Sequence, residues 1–206
     1  MTRAARDVGM VLFDGFELLD VFGPVELLSK LPDEYRITYV TPTAGRVRSS
    51  QGIEVIAEES FGSAGTPDLV IVPGGIGARS LVEDVEFLSG LTRWATGAQL
   101  ITSVCTGSAL LAAAGLLEGY RATSNKRAFA WSTQHGEDVT WVPQARWVQD
   151  RDRWTSSGVA AGMDMTAALI EHLSGHEAAA DAARVIELEV HSDPTWDPFA
   201  AHYGLQ

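Results

Sequence analysis

The sequence predicts an α/β fold in which a mainly parallel sheet carries helices on both faces. Short apolar runs rich in β-branched residues alternate with longer segments whose apolar residues recur at helical spacing. Such alternation is typical of parallel crossover units, whose strands are buried on both sides. The composition is uniform along the chain and shows no internal repeat or linker, so we expect a single domain over residues 1–206.

Composition and charge exclude several classes of partner. The chain has 206 residues, 46% of them hydrophobic, which is ordinary for a globular protein with a sizeable core. The net charge of −12 argues against a nucleic-acid partner, because phosphate binding needs clustered Lys and Arg side chains. No apolar stretch reaches the length of a membrane span or of a signal-peptide core, so we expect no membrane partner. A single cysteine forms no internal disulfide, which favours a cytoplasmic location.

The chain is expected to begin with a strand and a helix that are joined by a turn. Apolar residues 8–13 predict the strand. Residues 16–28 have apolar side chains at helical spacing, but Gly23 and Pro24 interrupt the pattern. We therefore expect a first turn, a kink, and a helix that resumes at Pro24.

The remaining elements are predicted from the same two patterns, short apolar runs for strands and apolar residues at helical spacing for helices. Further strands are expected at residues 36–41, 68–72, 99–103, 121–123, 139–142, 145–149 and 153–157, with short ones around Val47 and Val55 and a hairpin turn at 150–152. Helices are expected at residues 83–95, 109–114, 125–134, 160–173 and 177–190. The tail, residues 192–206, is expected to be irregular and packed down by its aromatic residues.

Cys105 lies in the turn between the strand at residues 99–103 and the helix after it. Such a turn directs its central side chain to the carboxyl edge of the sheet, where open α/β folds place ligands. The amides and dipole of the following helix favour a thiolate there. Cys105 is therefore a candidate nucleophile, and the alternative is that it is a small buried hydrophobic residue.

Two other turns are expected at the same edge of the sheet, at residues 14–20 and at Gly74 and Gly75. The two glycines, followed by Ile76, either form a tight turn or let backbone N–H groups approach a developing anion together with the amides around Cys105 and Thr106.

Asp20 stands in an otherwise apolar segment of the first of these turns. Either it caps a helix, or it is buried near Cys105 with a raised pKa and serves as a general acid. Glu17 is the rival carboxylate, at a more exposed position.

The usual base for a cysteine nucleophile is missing. Residue 106 is threonine, and all five histidines lie outside the three turns. The sequence has no cysteine pair and no phosphate-binding loop. We therefore expect neither a metal nor a cofactor.

Several motifs resemble those of the ThiJ/PfpI superfamily, which has the class I glutamine-amidotransferase-like fold. Val72-Pro73-Gly74-Gly75, followed by Ser103-Val104-Cys105-Thr106-Gly107-Ser108, carries this resemblance. Residues 19–24, 114–119 and 157–164 are similar to the branch that contains isocyanide hydratase. The resemblance implies a flavodoxin-like open parallel sheet with a cysteine nucleophile elbow.

The resemblance also implies roles for particular residues. Cys105 matches the nucleophile, Asp20 its acidic partner, and Gly74, Gly75 and the backbone near Thr106 the oxyanion pocket. Thr106 itself fits the hydratase branch. Members of the superfamily are commonly homodimers that act on small molecules.

One departure from the pattern concerns Asn125, a possible pocket residue, which stands where many superfamily members have a histidine. Without that histidine, proteolysis or amidotransfer by a Cys–His pair is not expected. The resemblance favours a cofactor-free lyase that hydrates an isocyanide to an N-substituted formamide through a thioimidate on Cys105. Two alternatives are a glyoxalase- or deglycase-like enzyme acting on methylglyoxal and a non-enzymatic redox sensor in which Cys105 is oxidised.

Overall fold

A computed structural model describes residues 4–205 and has the expected α/β architecture. Its strands are β1 (Arg6–Val11), β2 (Tyr35–Thr41), β3 (Gly45–Arg48), β4 (Glu54–Ala57), β5 (Glu59–Ser60), β6 (Leu69–Val72), β7 (Leu100–Ser103), β8 (Tyr120–Ala122), β9 (Val139–Trp141), β10 (Trp147–Asp150) and β11 (Arg153–Ser156). Seven of them form one sheet in the order β10-β11-β7-β6-β1-β2-β5. All neighbours in it are parallel except the β10–β11 hairpin.

Helices flank this sheet. They are α1 (Leu18–Leu28), α2 (Ala78–Leu81), α3 (Val85–Ala95), α4 (Gly107–Ala113), α5 (Phe129–Ser132), α6 (Ala161–Ser174), α7 (His176–Val185) and α8 (Pro198–His202). Helices α1, α6 and α7 pack on one another, while α2 packs on α4 and α4 packs on β6 and β7. No helix among residues 4–205 is both long and apolar enough to cross a bilayer.

The core lies between the central strands and these helices. Every residue of β6 is buried, as expected for a parallel strand covered on both faces. The Trp94 indole of α3 packs so closely on β1 that a Cβ at Gly9 would lie 2.3 Å from its Cη2 atom. A glycine in this strand is therefore needed for the approach of the helix to the sheet.

The structure differs from the sequence prediction in the first helix. Helix α1 is continuous from Leu18 to Leu28 and does not restart at Pro24. Gly23 and Pro24 are both buried, and a Cβ at Gly23 would lie 2.8 Å from Cγ of Met163 in α6. The close packing of α1 on α6 holds this stretch helical, and proline removes only one backbone hydrogen bond there.

The C-terminal elements also differ from the prediction. Helix α7 ends at Val185 rather than at residue 190. The aromatic residues of the tail do not pack it down, since Trp196 and Phe199 are each 58% exposed. Backbone hydrogen bonds attach it instead, because the Pro194 carbonyl accepts from the N–H groups of residues 146 and 147. The tail contains α8 and is therefore not wholly irregular.

Candidate active site

Cys105 occupies a strained elbow between β7 and α4. Its φ of +58° lies in the left-handed region, which costs a residue with a side chain on the order of 1 kcal/mol. A Cβ at Gly107 would stand 2.1 Å from the carbonyl oxygen of Val72, so the tight turn requires glycine there. The Cys105 N–H donates to the Ser157 carbonyl at 3.0 Å, and the Ser108 hydroxyl donates to the Cys105 carbonyl at 3.1 Å. These bonds hold the elbow in place.

Asp20 reaches this elbow because the chain before α1 is tied to the turn after β6. Phe16 forms a β-bridge with Gly75, and the Glu17 N–H donates to the Gly74 carbonyl at 2.9 Å. The N-cap position of α1 is Glu17, whose side chain makes no capping bond. Asp20 lies inside the helix and is fully buried, so it is not the cap that one interpretation of the sequence suggested.

The buried carboxyl of Asp20 has a strongly raised pKa. Its Oδ2 accepts a hydrogen bond from the Gly74 N–H at 2.9 Å, whereas its Oδ1 has no hydrogen-bond partner. Burial is the largest cause and raises the pKa to about 7, and the nearby charge of Glu17 also raises the pKa. The hydrogen bonds from the Gly74 N–H and the Cys105 thiol lower the pKa, but by less. Near neutral pH the carboxyl is therefore present in both forms, and it can either accept or donate a proton.

The pKa of the Cys105 thiol is also raised, which corrects the expectation of a resting thiolate. Burial is the largest cause, and the negative charge of Asp20 is the next. The pKa is lowered by hydrogen bonds from the backbone of Thr106 and Val159 and from the side chain of Asn125, but by less than burial and Asp20 raise it. Helix α4 has only seven residues, too little to offset burial. Cys105 therefore rests as a thiol and needs a base.

The glycine turn after β6 is packed against both of these groups. Thr106 Oγ1 accepts a hydrogen bond from the Gly75 N–H at 3.1 Å. A Cβ at Gly74 would lie 2.5 Å from Thr106 N and 3.0 Å from Asp20 Oδ2. The N–H groups of Gly74 and Gly75, expected to face a substrate anion, thus already bind acceptors within the protein. The Ile76 N–H finds no acceptor among residues 4–205, and Ile76 itself is exposed.

Asn125 presents its amide group to the sulfur. Its Oδ1 accepts from the Ala128 N–H at 3.0 Å, which leaves Nδ2 as the donor toward Cys105. A Cβ at Gly158 would lie 2.6 Å from Nδ2, so this glycine makes room for the amide. An amide N–H stabilises negative charge on sulfur but cannot take up a proton as a histidine would.

These side chains border an open pocket of about 330 Å³. It is lined by Glu17, Ser50, Gly75, Ile76, Arg79, Cys105, Thr106, Asn125, Arg127 and Val159. Gly74 and Asp20 lie behind this surface, and no histidine is on it. The Glu17 carboxylate accepts a hydrogen bond from Gln51 Nε2 at 2.5 Å. Among residues 4–205, no cluster of three His, Cys, Asp or Glu side chains is arranged to hold a metal ion.

Sequence reasoning missed four of the lining residues as parts of the site: Ser50, Arg79, Arg127 and Val159. Val159 follows β11, which pairs in parallel with β7 and so ends at the same edge of the sheet. That signal was present in the predicted strand at residues 153–157. Arg79 and Arg127 had no signal of their own, because their nearness to Cys105 depends on how α2 and the chain before α5 pack.

Comparisons with known proteins agree with this geometry. The DJ-1/PfpI family model matches residues 6–172. The isonitrile hydratase of Pseudomonas putida is 34% identical over 191 residues, covering 92% of this chain and 80% of that protein. A THiJ/PfpI family protein from Pseudomonas syringae has a crystal structure that superposes with a TM-score of 0.81 at 29% identity, covering 92% of this chain and 78% of that one.

Regulatory proteins share the same domain. The HTH-type transcriptional regulator GbdR of Pseudomonas aeruginosa is 32% identical over 185 residues, covering 86% of this chain but only 49% of the regulator. The relatives of this domain therefore include both an enzyme and a regulator. With the parallel sheet, the cysteine elbow and a family model that matches most of the sequence, the chain belongs to the DJ-1/PfpI family.

Proposed function

We propose that this protein is a cofactor-free lyase that hydrates an isocyanide to an N-substituted formamide. The observation that supports this most strongly is the pairing of Cys105 with a buried carboxyl, Asp20, whose pKa is about 7, in a pocket without histidine. The identity of 34% with an isonitrile hydratase supports the same activity. Hydration of an isocyanide needs a nucleophile and one group that moves protons, and these two side chains supply both.

In the first step Asp20 acts as the base that the raised thiol pKa requires. The ionised carboxyl takes the proton from Cys105 while Sγ attacks the terminal isocyanide carbon. The protonated carboxyl then returns the proton to that same carbon. A C–S bond and a C–H bond form, the carbon–nitrogen triple bond becomes a double bond, and the product is a thioimidate on Cys105.

In the second step water adds to the thioimidate carbon. One water proton goes to nitrogen, the C–S bond breaks, and the remaining proton returns to sulfur through Asp20. The formamide leaves and the thiol is restored. The sum is one isocyanide plus one water, with no change in oxidation state and no demand for a cofactor.

The other residues of the site hold the reacting groups. The amide of Asn125 and the N–H groups of Thr106 and Val159 donate to the sulfur and stabilise it as it becomes a thiolate. Thr106 also fixes the Gly74–Gly75 turn through its hydroxyl, which keeps Asp20 in place. The exposed N–H of Ile76 is the open donor for a substrate atom.

The test is formation of the formamide from p-nitrophenyl isocyanide. We expect wild type to form it and Cys105→Ala to lose the activity, while thermal unfolding shows both to be folded. Thr133→Ala, a half-buried position outside the pocket, serves as the control for a small substitution. Equal rates in wild type and Cys105→Ala would remove Cys105 from the mechanism.

Two alternative functions make different predictions for the same site. A second carboxylate, Glu17, lines the pocket and would be the proton shuttle of a glyoxalase-like reaction on methylglyoxal. Lactate formation without isocyanide hydration would favour it. A redox sensor needs an oxidisable thiolate, and the raised pKa of Cys105 acts against that. Gain of oxygen by Cys105 under mild peroxide, without hydration, would favour sensing.

The proposal includes the setting in which the enzyme works. We take it to be a single domain over residues 1–206 that acts in the cytoplasm as a homodimer on a small molecule, without nucleic-acid or membrane partners. The net charge of −12 supports the exclusion of nucleic acid. Light scattering at several protein concentrations tests the dimer, and a constant monomer mass would remove it.

A further inference from the structure

We propose that the pocket selects substrates that carry a carboxylate, which Arg79 and Arg127 bind. This inference rests on the proposed function, because it names the substrate class of the same site. The P. putida relative is an isonitrile hydratase, a name that specifies the reacting group and not the rest of the substrate. The residues of this chain go further, since they specify the charge of the rest of the molecule.

The pocket brings two guanidinium groups to the same opening as the Cys105 sulfur. Arg79 comes from α2 and Arg127 from the segment before α5. Neither forms an ion pair within the part of the chain that the structure describes. Two guanidinium groups and the single lining carboxylate of Glu17 leave the pocket with one net positive charge. That charge matches one carboxylate, whereas the two negative charges of a phosphate monoester would exceed it.

Arg79 is already positioned to bind. Its guanidinium carbon lies 3.9 Å from the centre of the Trp131 ring, and Trp131 in turn packs edge-on to His135 with 4.9 Å between ring centres. This contact with the ring face restricts the guanidinium. Its N–H groups form no hydrogen bond with any acceptor among residues 4–205. A planar donor edge of this kind fits the two oxygens of a carboxylate.

Because the protein as a whole is negatively charged, an anionic substrate needs the positive charges of Arg79 and Arg127 to approach the pocket. With a net charge of −12, the chain repels anions at long range. The reacting groups add little to this repulsion, because Cys105 rests as a neutral thiol and Asp20 is partly protonated near pH 7. Arg79 and Arg127 are therefore the groups that attract an anionic substrate toward the sulfur.

Isocyanoacetate and its methyl ester provide a matched pair of substrates that differ in charge. We expect wild type to have the higher kcat/KM for the acid. In Arg79→Gln and Arg127→Gln the ratio of kcat/KM, acid over ester, falls about tenfold, mainly through KM. Arg93→Gln removes an exposed charge outside the pocket and leaves the ratio unchanged. An unchanged ratio in both pocket variants, with hydration intact, would overturn the inference but not the proposed function.

Alkylation of Cys105 tests the same inference without any hydratase activity. Iodoacetate and iodoacetamide both form an S–C bond at the single cysteine and release iodide, and they differ in charge. We expect the rate ratio, iodoacetate over iodoacetamide, to fall several-fold in both pocket variants but not in Arg93→Gln, and to fall with added salt in wild type. If wild type does not hydrate isocyanides but shows these alkylation ratios, only the proposed function is refuted. If the ratio of iodoacetate to iodoacetamide rates is the same in wild type, Arg79→Gln, Arg127→Gln and Arg93→Gln, the carboxylate site is refuted.

Discussion

The Gly74 N–H donates a 2.9 Å hydrogen bond to Oδ2 of Asp20, and this bond helps to fix a carboxyl whose Oδ1 is buried without a partner. A carboxylate in such a place is costly, and protonation lowers the cost. The bond therefore holds a proton donor and acceptor next to Cys105.

The raised pKa of Asp20 predicts how stability depends on pH. The folded state keeps a proton up to about pH 7, while the unfolded chain loses it near pH 3.8. Stability from this group is thus fully present below pH 3.8 and is lost as the pH rises through 7. Relative to Asp20→Asn, wild type should lose up to about 4 kcal/mol of unfolding free energy between pH 4 and pH 8.

Urea unfolding of both proteins across that range measures the difference. Since the other carboxyl groups are common to the two proteins, their titration cancels. A difference that stays constant with pH would show that Asp20 titrates normally in the folded state.

Lys126 gives a second pH effect of the opposite sign. Its ammonium group is buried and donates to Thr123 Oγ1 at 2.8 Å and to the Ala145 carbonyl at 2.5 Å. Burial is the largest cause and lowers the pKa of Lys126 to about 8. The negative charge of Asp197 raises the pKa, and the positive charge of Arg146 lowers it further. The unfolded chain holds the proton to higher pH, so wild type gains stability between pH 8 and 10.5.

Comparison with Lys126→Met isolates this effect. We expect the stability of wild type relative to the variant to rise by about 3 kcal/mol between pH 7.5 and 10.5. Chemical unfolding at closely spaced pH values checks it, and a relative stability that declines with pH would contradict the lowered pKa.

Asn125 should control the reactivity of the sulfur. In Asn125→Leu the thiolate loses the donor Nδ2, so its pKa should rise further and its reaction with iodoacetamide at pH 8 should slow about tenfold. Asn125→Gln tests the position of the amide rather than its presence. Alkylation followed by intact mass gives both rates, and an unchanged rate in Asn125→Leu would mean that the amide does not act on Cys105.

The glycine turn should tolerate no side chain. In Gly74→Ala the new methyl group would lie 2.5 Å from Thr106 N and Oγ1, which displaces the elbow and costs about 2 kcal/mol or more. Gly65→Ala adds the same methyl group where nothing lies within 4 Å. Thermal unfolding and hydration rates of the two variants can be compared directly. Full activity in Gly74→Ala would show that the turn does not position the site.

Much of this site could be predicted from the sequence because parallel strands end at one edge of a sheet. The turns at Asp20, Gly74 and Cys105 each follow a predicted strand, and the structure brings them together. The direction of the Cys105 pKa could not be predicted, since it depends on how completely the fold excludes water. Arg79 was missed for a similar reason, because its role comes from packing on Trp131 rather than from a motif.

The exposed tail shows a different limit of sequence reasoning. Trp196 and Phe199 are large and apolar, which favours burial, yet both stay exposed while Asp197 is buried. Asp197 caps α8 by accepting from the Phe199 N–H at 2.9 Å, and its own N–H donates to the Gln144 carbonyl at 2.8 Å. Composition alone carries no information on such backbone pairing.

The account depends most directly on Cys105 and Asp20 acting as one unit, and a double-mutant comparison of hydration rates tests this. With p-nitrophenyl isocyanide, we expect Cys105→Ser and Asp20→Asn each to lower kcat/KM by about 10³-fold or more. The double variant should be no slower than the slower single variant, because each change alone disables the same step. Wild-type activity in either single variant, or losses that multiply in the double variant, would contradict the proposed pair.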